Sequence, residues 1–375
     1  MTRLILDRTP ALPYVAPTLD EDQLCVVNHR LGAMRVLAGP GTGKTTTLVA
    51  AMAARLSGSD ALHPNQVLGL TFGRRAAIDW RDQVTAAVGG GVVPLVSTFH
   101  SFCYALVRQF QSDEAYISAT RLLSGPEQQV RSRQLFADAI ADQRLNWPAD
   151  LMPAVGTRGL AEEIRAVMSR TRSHIMDPED LVNLGNKTGR QTWASIGVFM
   201  DEYLDVLDAE GVLDYSELIH RAVLLSHRPD VQEYLHKTFS AIYVDEYQDT
   251  DPGQVALLKA MVNVDSALVV VGDVDQAIYG FRGADEAGIR NFEQEFEAVF
   301  GKPVENVVLS TCRRFGSEIR SAASAVIGDR VPAGFNSIDI HKHRNPKCIS
   351  ENVGELKVRT FDSPGAEASH IADMI

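Results

Sequence analysis

The stretch Ala38-Gly-Pro-Gly-Thr-Gly-Lys-Thr45 constrains this chain most, because it joins an apolar run at 34–39 to a helical run at 46–56. A strand that passes through a glycine-rich turn into a helix is the opening of a parallel βαβ unit. The glycines let successive backbone N–H groups turn inward as an anion nest, and the helix start adds its positive dipole end. On this reading Ala38, Gly39, Pro40, Gly41, Thr42, Gly43, Lys44, Thr45 and Thr46 bind a nucleoside triphosphate. Lys44 reaches the β- and γ-phosphates, and Thr45 offers a hydroxyl to Mg²⁺. Ala38 stands where the strict pattern has glycine, and a turn built for packing alone is the competing reading.

Further apolar runs at 67–72, 92–99, 241–245, 267–272 and 304–310 are expected to be buried strands, with helices between several of them. The expected fold is α/β with an open parallel sheet. From 111 to 210 apolar residues recur at helical spacing without strand-like runs, as in a helical insertion. Beyond 303 a strand, a helix at 317–327 and a strand at 356–361 look like the start of a second α/β unit, with Ile375 inside an apparent helix.

Composition narrows the partners. With 36 basic against 48 acidic residues and a net charge of −12, no basic coat covers the chain, so any nucleic-acid contact must be a local groove. The four cysteines have no metal-site spacing. No run approaches the ~18–20 apolar residues of a membrane span, and residues 1–10 lack a signal-peptide core. A soluble, cytoplasmic protein is expected.

A second chemical signal is Ala241-Ile-Tyr-Val-Asp-Glu-Tyr-Gln-Asp249, two adjacent carboxylates after an apolar strand. Adjacent acids at a buried strand end are costly unless a cation compensates. Asp245 is therefore expected to hold Mg²⁺, largely through water, and Glu246 to polarise the water that attacks the γ-phosphate. An exposed acidic turn is the alternative, since Asp249 and Asp251 follow.

Asp245-Glu-Tyr-Gln-Asp-Thr-Asp-Pro252 followed by Val271-Gly-Asp-Val-Asp-Gln-Ala-Ile-Tyr-Gly-Phe-Arg-Gly-Ala284 resembles motifs II and III of the UvrD/Rep/PcrA-like superfamily 1A DNA helicases. Leu19-Asp-Glu-Asp-Gln23, Leu70-Thr-Phe72, Ser97-Thr-Phe-His-Ser-Phe102, Val212-Leu-Asp-Tyr-Ser-Glu-Leu218 and Leu309-Ser-Thr-Cys-Arg-Arg-Phe315 are similar to further motifs of that family. The resemblance implies a RecA-like lobe at 1–110 and 211–302, a helical insertion at 111–210 and the start of a second RecA-like lobe at 303–375. It implies catalytic roles for Lys44, Asp245, Glu246, Gln276 and Arg314, with Gln23 reading adenine, Gln276 sensing the γ-phosphate or its attacking water, and Arg314 acting as an arginine finger. Cofactors would be ATP and Mg²⁺.

On the DNA side the resemblance implies stacking by Phe72, Phe281 and Tyr279, with Thr71, Thr98 and His100 meeting backbone phosphates. An isolated Phe after a strand is otherwise ordinary core. Two departures stand out: Gly73-Arg74-Arg75 where the family has Thr-Asn-Lys, and Arg313 where it has a tyrosine. Arg74 and Arg75 keep positive charge beside the DNA path; Arg313 either replaces the aromatic stack on adenine with a guanidinium plane or leaves it out. Arg74-Arg-Ala-Ala77 and Thr311-Cys-Arg-Arg-Phe-Gly316 look more like actinobacterial helicase–nuclease motor subunits of the AdnA/AdnB kind than like UvrD itself.

The implied function is 3′→5′ ATP-driven movement on single-stranded DNA or at a single-strand/duplex junction, in repair or recombination, with a second motor or nuclease subunit as possible partner. A DNA-stimulated ATPase clamp without unwinding is the alternative. Arg131, Arg133, Arg165, Arg170 and Arg172 in the insertion are either duplex contacts or solvated helix faces. Because the second lobe is barely begun by Ile375, the chain alone is expected to bind ATP weakly, hydrolyse it poorly and not unwind duplex.

Overall fold

The structure, a computed structural model, describes residues 14–110, 121–280, 284–350 and 353–374. Its first elements are α1 (Glu21–Asn28), β1 (Gly32–Ala38), α2 (Lys44–Arg55), β2 (Val67–Thr71), α3 (Arg74–Ala87), β3 (Leu95–Thr98) and α4 (Phe99–Phe110). Then come β4 (Arg121–Leu122) and four longer helices: α5 (Gly125–Ala141), α6 (Arg158–Ser173), α7 (Pro178–Thr188) and α8 (Gln191–Ala209). After β5 (Val212–Leu213) follow α9 (Tyr215–Ser226), α10 (Pro229–Thr238), β6 (Ala241–Val244), α11 (Pro252–Met261), β7 (Ala267–Gly272), α12 (Glu286–Phe300) and β8 (Glu305–Leu309). The last elements are β9 (Thr311–Cys312), α13 (Ser317–Ile327), α14 (Ser337–Arg344), β10 (Lys347–Cys348) and α15 (Pro364–Met374).

Six strands form one parallel sheet in the order β3-β2-β6-β7-β1-β8, a RecA-like arrangement. Helices cover both faces, so the central strands are apolar throughout: β1, β6 and β7 are buried at every residue. One core, with Leu68, Ile242, Leu268 and Phe292, fills one face; the other, with Met34, Leu48, Trp80 and Tyr243, fills the opposite face. The buried exception on β1 is Arg35, whose guanidinium donates to Asn306 Oδ1 and Ile289 O, both at 2.9 Å, and lies 4.7 Å from the centre of the Phe335 ring.

The helices α5 to α8 interrupt this sheet in sequence and pack on a third core that includes Phe136, Trp147, Ile164, Phe199 and Tyr203. Their two ends are pinned together where β4 pairs in parallel with β5, Leu122 opposite Leu213. A buried ion pair, Arg172 Nε to Glu217 at 2.8 Å, ties α6 to α9.

Three strand expectations change. The run at 304–310 does not open a second unit: β8 pairs with β1, Val36 opposite Val307, as the edge of the first sheet. Its inward residues Val308 and Leu309 complete the two cores already present. The run at 92–99 shortens to 95–98, and its far end stops there because Thr98 Oγ accepts the Ser101 N–H at 3.1 Å and so starts α4 at Phe99. The run at 356–361 is not a strand; Leu356 and Val358 are exposed and pair with nothing among the described residues. Helices α13 and α15 bury none of their residues. Among the described residues no helix is long and apolar enough to cross a membrane.

Candidate nucleotide site and nucleic-acid groove

The carboxyl ends of β1, β6 and β7 meet where the phosphate loop turns into α2. Gly41 (φ 75°) and Gly43 (φ 94°) hold left-handed backbone, which side chains disfavour. A Cβ on Gly43 would lie 2.8 Å from the Gln23 amide nitrogen, and one on Gly41 would lie 2.5 Å from Arg314 Cβ. Lys44 Nζ donates to Ala38 O at 3.3 Å, closing the loop over the end of β1. Thr42 Oγ donates to Gly39 O at 2.8 Å; Thr45 is exposed and Thr46 half-buried at the start of α2.

Opposite the loop stand the acids that follow β6 and β7. Asp245 is buried, and that burial, with the Glu246 carboxylate beside it, pushes its carboxyl up to about 6, against the pull of Lys44 and of the Glu246 N–H donated to Asp245 Oδ1 at 2.9 Å. Asp249 is likewise pushed up to about 6 by burial and Glu246, and its Oδ1 is buried without a partner among the described residues. Glu246 adopts left-handed backbone (φ 51°), a strained conformation for a residue with a side chain.

One buried amide joins the two acid segments. Gln248 Nε2 donates to Glu246 Oε2 at 2.9 Å, and its Oε1 accepts the Asp273 N–H at 2.9 Å. Glycine at 272 permits this, since a Cβ there would lie 2.9 Å from Gln248 Oε1. Asp273 Oδ2 then accepts Gln276 Nε2 at 2.6 Å. Burial raises the Asp273 carboxyl, but the His343 hydrogen bond and charge more than offset this and hold it below the usual range.

The segment after β8 lies directly on the loop. Arg313 N–H donates to Gly41 O at 2.9 Å, and its guanidinium pairs with Asp20 at 2.8 Å. The departure at Arg313 thus places a guanidinium against the cap of α1. Arg314, beside Gly41, is exposed. Gln23 is buried: its Oε1 accepts the Asp20 N–H at 3.2 Å and its Nε2 donates to Thr47 Oγ at 3.0 Å. Each end of the amide expected to read adenine therefore already makes one hydrogen bond within the protein, which leaves it one N–H and one lone pair.

A second region opens beside the acids. A cavity of about 440 Å³ is lined by Phe72, His100, Tyr215, Asp249 and Tyr279, and it shares Tyr215, Ser216, Ser169 and Ala284 with a cavity of about 880 Å³ lined by Arg165, Arg170 and Arg290. Phe72 is 38% exposed and meets Phe99 edge-on at 6.3 Å. His100 meets Tyr215 edge-on at 5.1 Å, and burial holds its imidazole below the ordinary range. Arg74 and Arg75 are exposed at the start of α3.

Thr71 and Thr98 do not line this groove. Both are buried, and Thr98 Oγ donates to Ser101 at 2.9 Å besides capping α4. Arg172 is committed to Glu217 and Asp177, and Arg131 pairs with Glu210, whereas Arg133 is exposed. The expected contact at Phe281 lies outside the described residues. Sequence reasoning missed Tyr215, Gln248 and His343. The first two lie inside quoted motif stretches, so position offered a signal; His343 had none.

Residues 19–297 match the UvrD/REP helicase N-terminal domain. The chain is similar to the ATP-dependent DNA helicase PcrA of Staphylococcus epidermidis, 29% identical over 322 residues, and to DNA helicase II of Escherichia coli and of Salmonella typhimurium, each 28% identical over 318 residues. Each match covers 84% of this chain and 41% of the relative, so the chain spans about two fifths of the length of the curated relatives it matches. With a glycine-rich loop, an acid pair and a Gln-bearing third motif converging at the carboxyl end of the sheet, and with the family match covering residues 19–297, the chain belongs to the UvrD/REP helicase family.

Proposed function

We propose that this chain is the ATP-gripping part of a motor that moves along single-stranded DNA, using the site around Lys44 to hydrolyse ATP. The observation that carries the reading is a physical link: Gln276 at the phosphate end and Tyr279 in the aromatic groove lie on one short segment after β7. A shift at the phosphates is therefore felt at the groove. The first lobe comprises residues up to 110 and from 211 to 309, the helical insertion lies between, and the second lobe begins after β8 rather than at 303.

The residues present suit Mg²⁺ and ATP, because Asp245 and Asp249 are buried acids with raised carboxyls and Asp249 Oδ1 has no partner among the described residues, a burden that a cation relieves. Thr45 and Asp245 would hold Mg²⁺, which when bound neutralises charge on the phosphate oxygens. Lys44 exchanges Ala38 O for the β- and γ-phosphates. Glu246 takes up hydrogen-bonding and proton from the attacking water, Gln276 orients that water, and Arg314 meets charge on the transferring phosphoryl group.

In the groove, Phe72, Tyr215 and Tyr279 offer ring faces to bases, and Arg74, Arg165 and Arg170 offer charge to the backbone. Alone, the chain hydrolyses ATP slowly and does not separate strands, in keeping with a segment after 316 whose helices α13 and α15 bury nothing. ATP hydrolysis measured with and without single-stranded oligonucleotide tests the reading: stimulation by the strand is expected, and equal rates in both would sink the DNA-motor assignment while leaving the nucleotide site standing.

A further inference from the structure

We infer that His343, on a helix far in sequence from the motifs, is a positioning residue for ATP hydrolysis that acts through Asp273 on Gln276. The inference rests on the proposed role of Gln276 in orienting the attacking water. His343 Nε2 lies 3.0 Å from Asp273 Oδ1, and the other oxygen of the same carboxylate accepts Gln276 Nε2 at 2.6 Å. Both His343 and Asp273 are almost fully buried, at 3% and 1% exposure.

The chemistry of the three groups fixes their orientation. An ionised carboxylate only accepts hydrogen bonds, so Nε2 of His343 must carry its proton and the NH₂ of Gln276 must face Asp273. The Gln276 carbonyl oxygen then faces away from Asp273, as an acceptor for a water proton. Were Asp273 protonated or replaced by an amide, it would offer a donor, and the Gln276 amide would be free to turn around. His343 keeps this from happening by holding the Asp273 carboxyl below its usual range.

The helix that carries His343 is anchored on both sides of that residue. Arg344 binds Asp275 through two hydrogen bonds, at 2.8 and 2.7 Å, and Lys342 Nζ pairs with Asp22 at 3.0 Å. Three consecutive basic residues thus grip three acids around the nucleotide cleft. The last turn of α14 sits over the loop, with His343 O 3.7 Å from the position of a Cβ on Gly39. The segment that follows β8 therefore reaches the hydrolysis site by a route separate from Arg314.

The test is single-turnover ATP hydrolysis by the full chain with a single-stranded oligonucleotide, alongside binding of a fluorescent ATP analogue. His343→Leu is expected to slow hydrolysis by about tenfold or more while analogue affinity stays within about twofold. His343→Gln, which places an amide N–H at the same reach, is expected to recover most of the rate. In a Gln276→Ala background, His343→Leu is expected to change nothing further, because the residue it positions is gone. A rate untouched by His343→Leu, or slowed equally with and without Gln276, overturns the inference and leaves the reading of the site intact. No hydrolysis by the unsubstituted chain overturns both.

Discussion

The proposed phosphate end and the proposed nucleic-acid groove share the segment after β7, yet they are built on opposite principles. The phosphate end offers backbone and buried charge: left-handed glycines, a strained Glu246, and carboxyls that burial has pushed up to about 6. The groove offers half-exposed rings delivered from three places, the end of β2, the start of α9 and the loop after β7. Buried charges cannot relax when a neighbour is lost, so the first region fails as a unit. A groove of separate stacking faces loses affinity ring by ring.

Lys44→Ala gives that contrast its hardest trial. Lys44 is the cation that draws on Asp245, Asp249 and Asp273 together. Its loss is expected to lower ATP turnover by about 10²–10³-fold or more, read in a steady-state hydrolysis assay, with single-stranded DNA binding in the absence of nucleotide unchanged. Normal turnover by the variant would break the assignment of this site.

Asp245→Asn separates stability from chemistry at the same end. The Asp245 carboxyl is raised from 3.8 to about 6 in the folded chain, so its contribution to stability is present at low pH and lost as pH rises through about 6. At pH 8 the charged form costs up to about 3 kcal/mol, which the asparagine avoids. The variant is expected to melt higher than the unsubstituted protein at pH 8 and to match it near about pH 4, while Mg²⁺-dependent hydrolysis is lost. A variant that melts lower at pH 8 would show that the buried acid is compensated by the protein itself.

The sheet and the phosphate end were legible in sequence because each is written locally: a strand, a turn and a helix start within some dozen residues, or two acids at a strand end. The groove was legible only in part. Phe72 and Tyr279 follow strands within recognisable stretches, but Thr71 and Thr98 sit in equally good stretches and turn inward, Thr98 because α4 needs a cap. Which face a residue at a strand end takes depends on the next element. Val304–Ser310 reads as a strand, but nothing local says that it joins β1. His343 was invisible because its partner, Asp273, lies 70 residues away.

In the groove the expected effects are smaller and graded. Tyr215→Ala removes the ring that meets His100 edge-on and borders both cavities. Single-stranded DNA affinity is expected to fall by about 1–3 kcal/mol, measured by fluorescence anisotropy, with nucleotide binding unchanged when DNA is absent. Loss of ATP binding as well would show that the groove and the phosphate end do not divide as described.

Gln23→Ala draws the finest line, because it asks to which region's logic the adenine side belongs. The Gln23 side chain closes a capping box with Asp20 and donates to Thr47 on α2, so in this structure it is scaffolding beneath the phosphate loop. Removing it takes away one cap contact, at a cost of about 1 kcal/mol, and one buried hydrogen bond of about the same size. The expected result is a melting temperature lower by a few degrees and ATP affinity weakened modestly, with the preference for ATP over GTP retained. If that preference collapses instead, the amide reads the base when nucleotide binds, and the adenine side, like the groove, is built from side chains rather than from a fixed backbone.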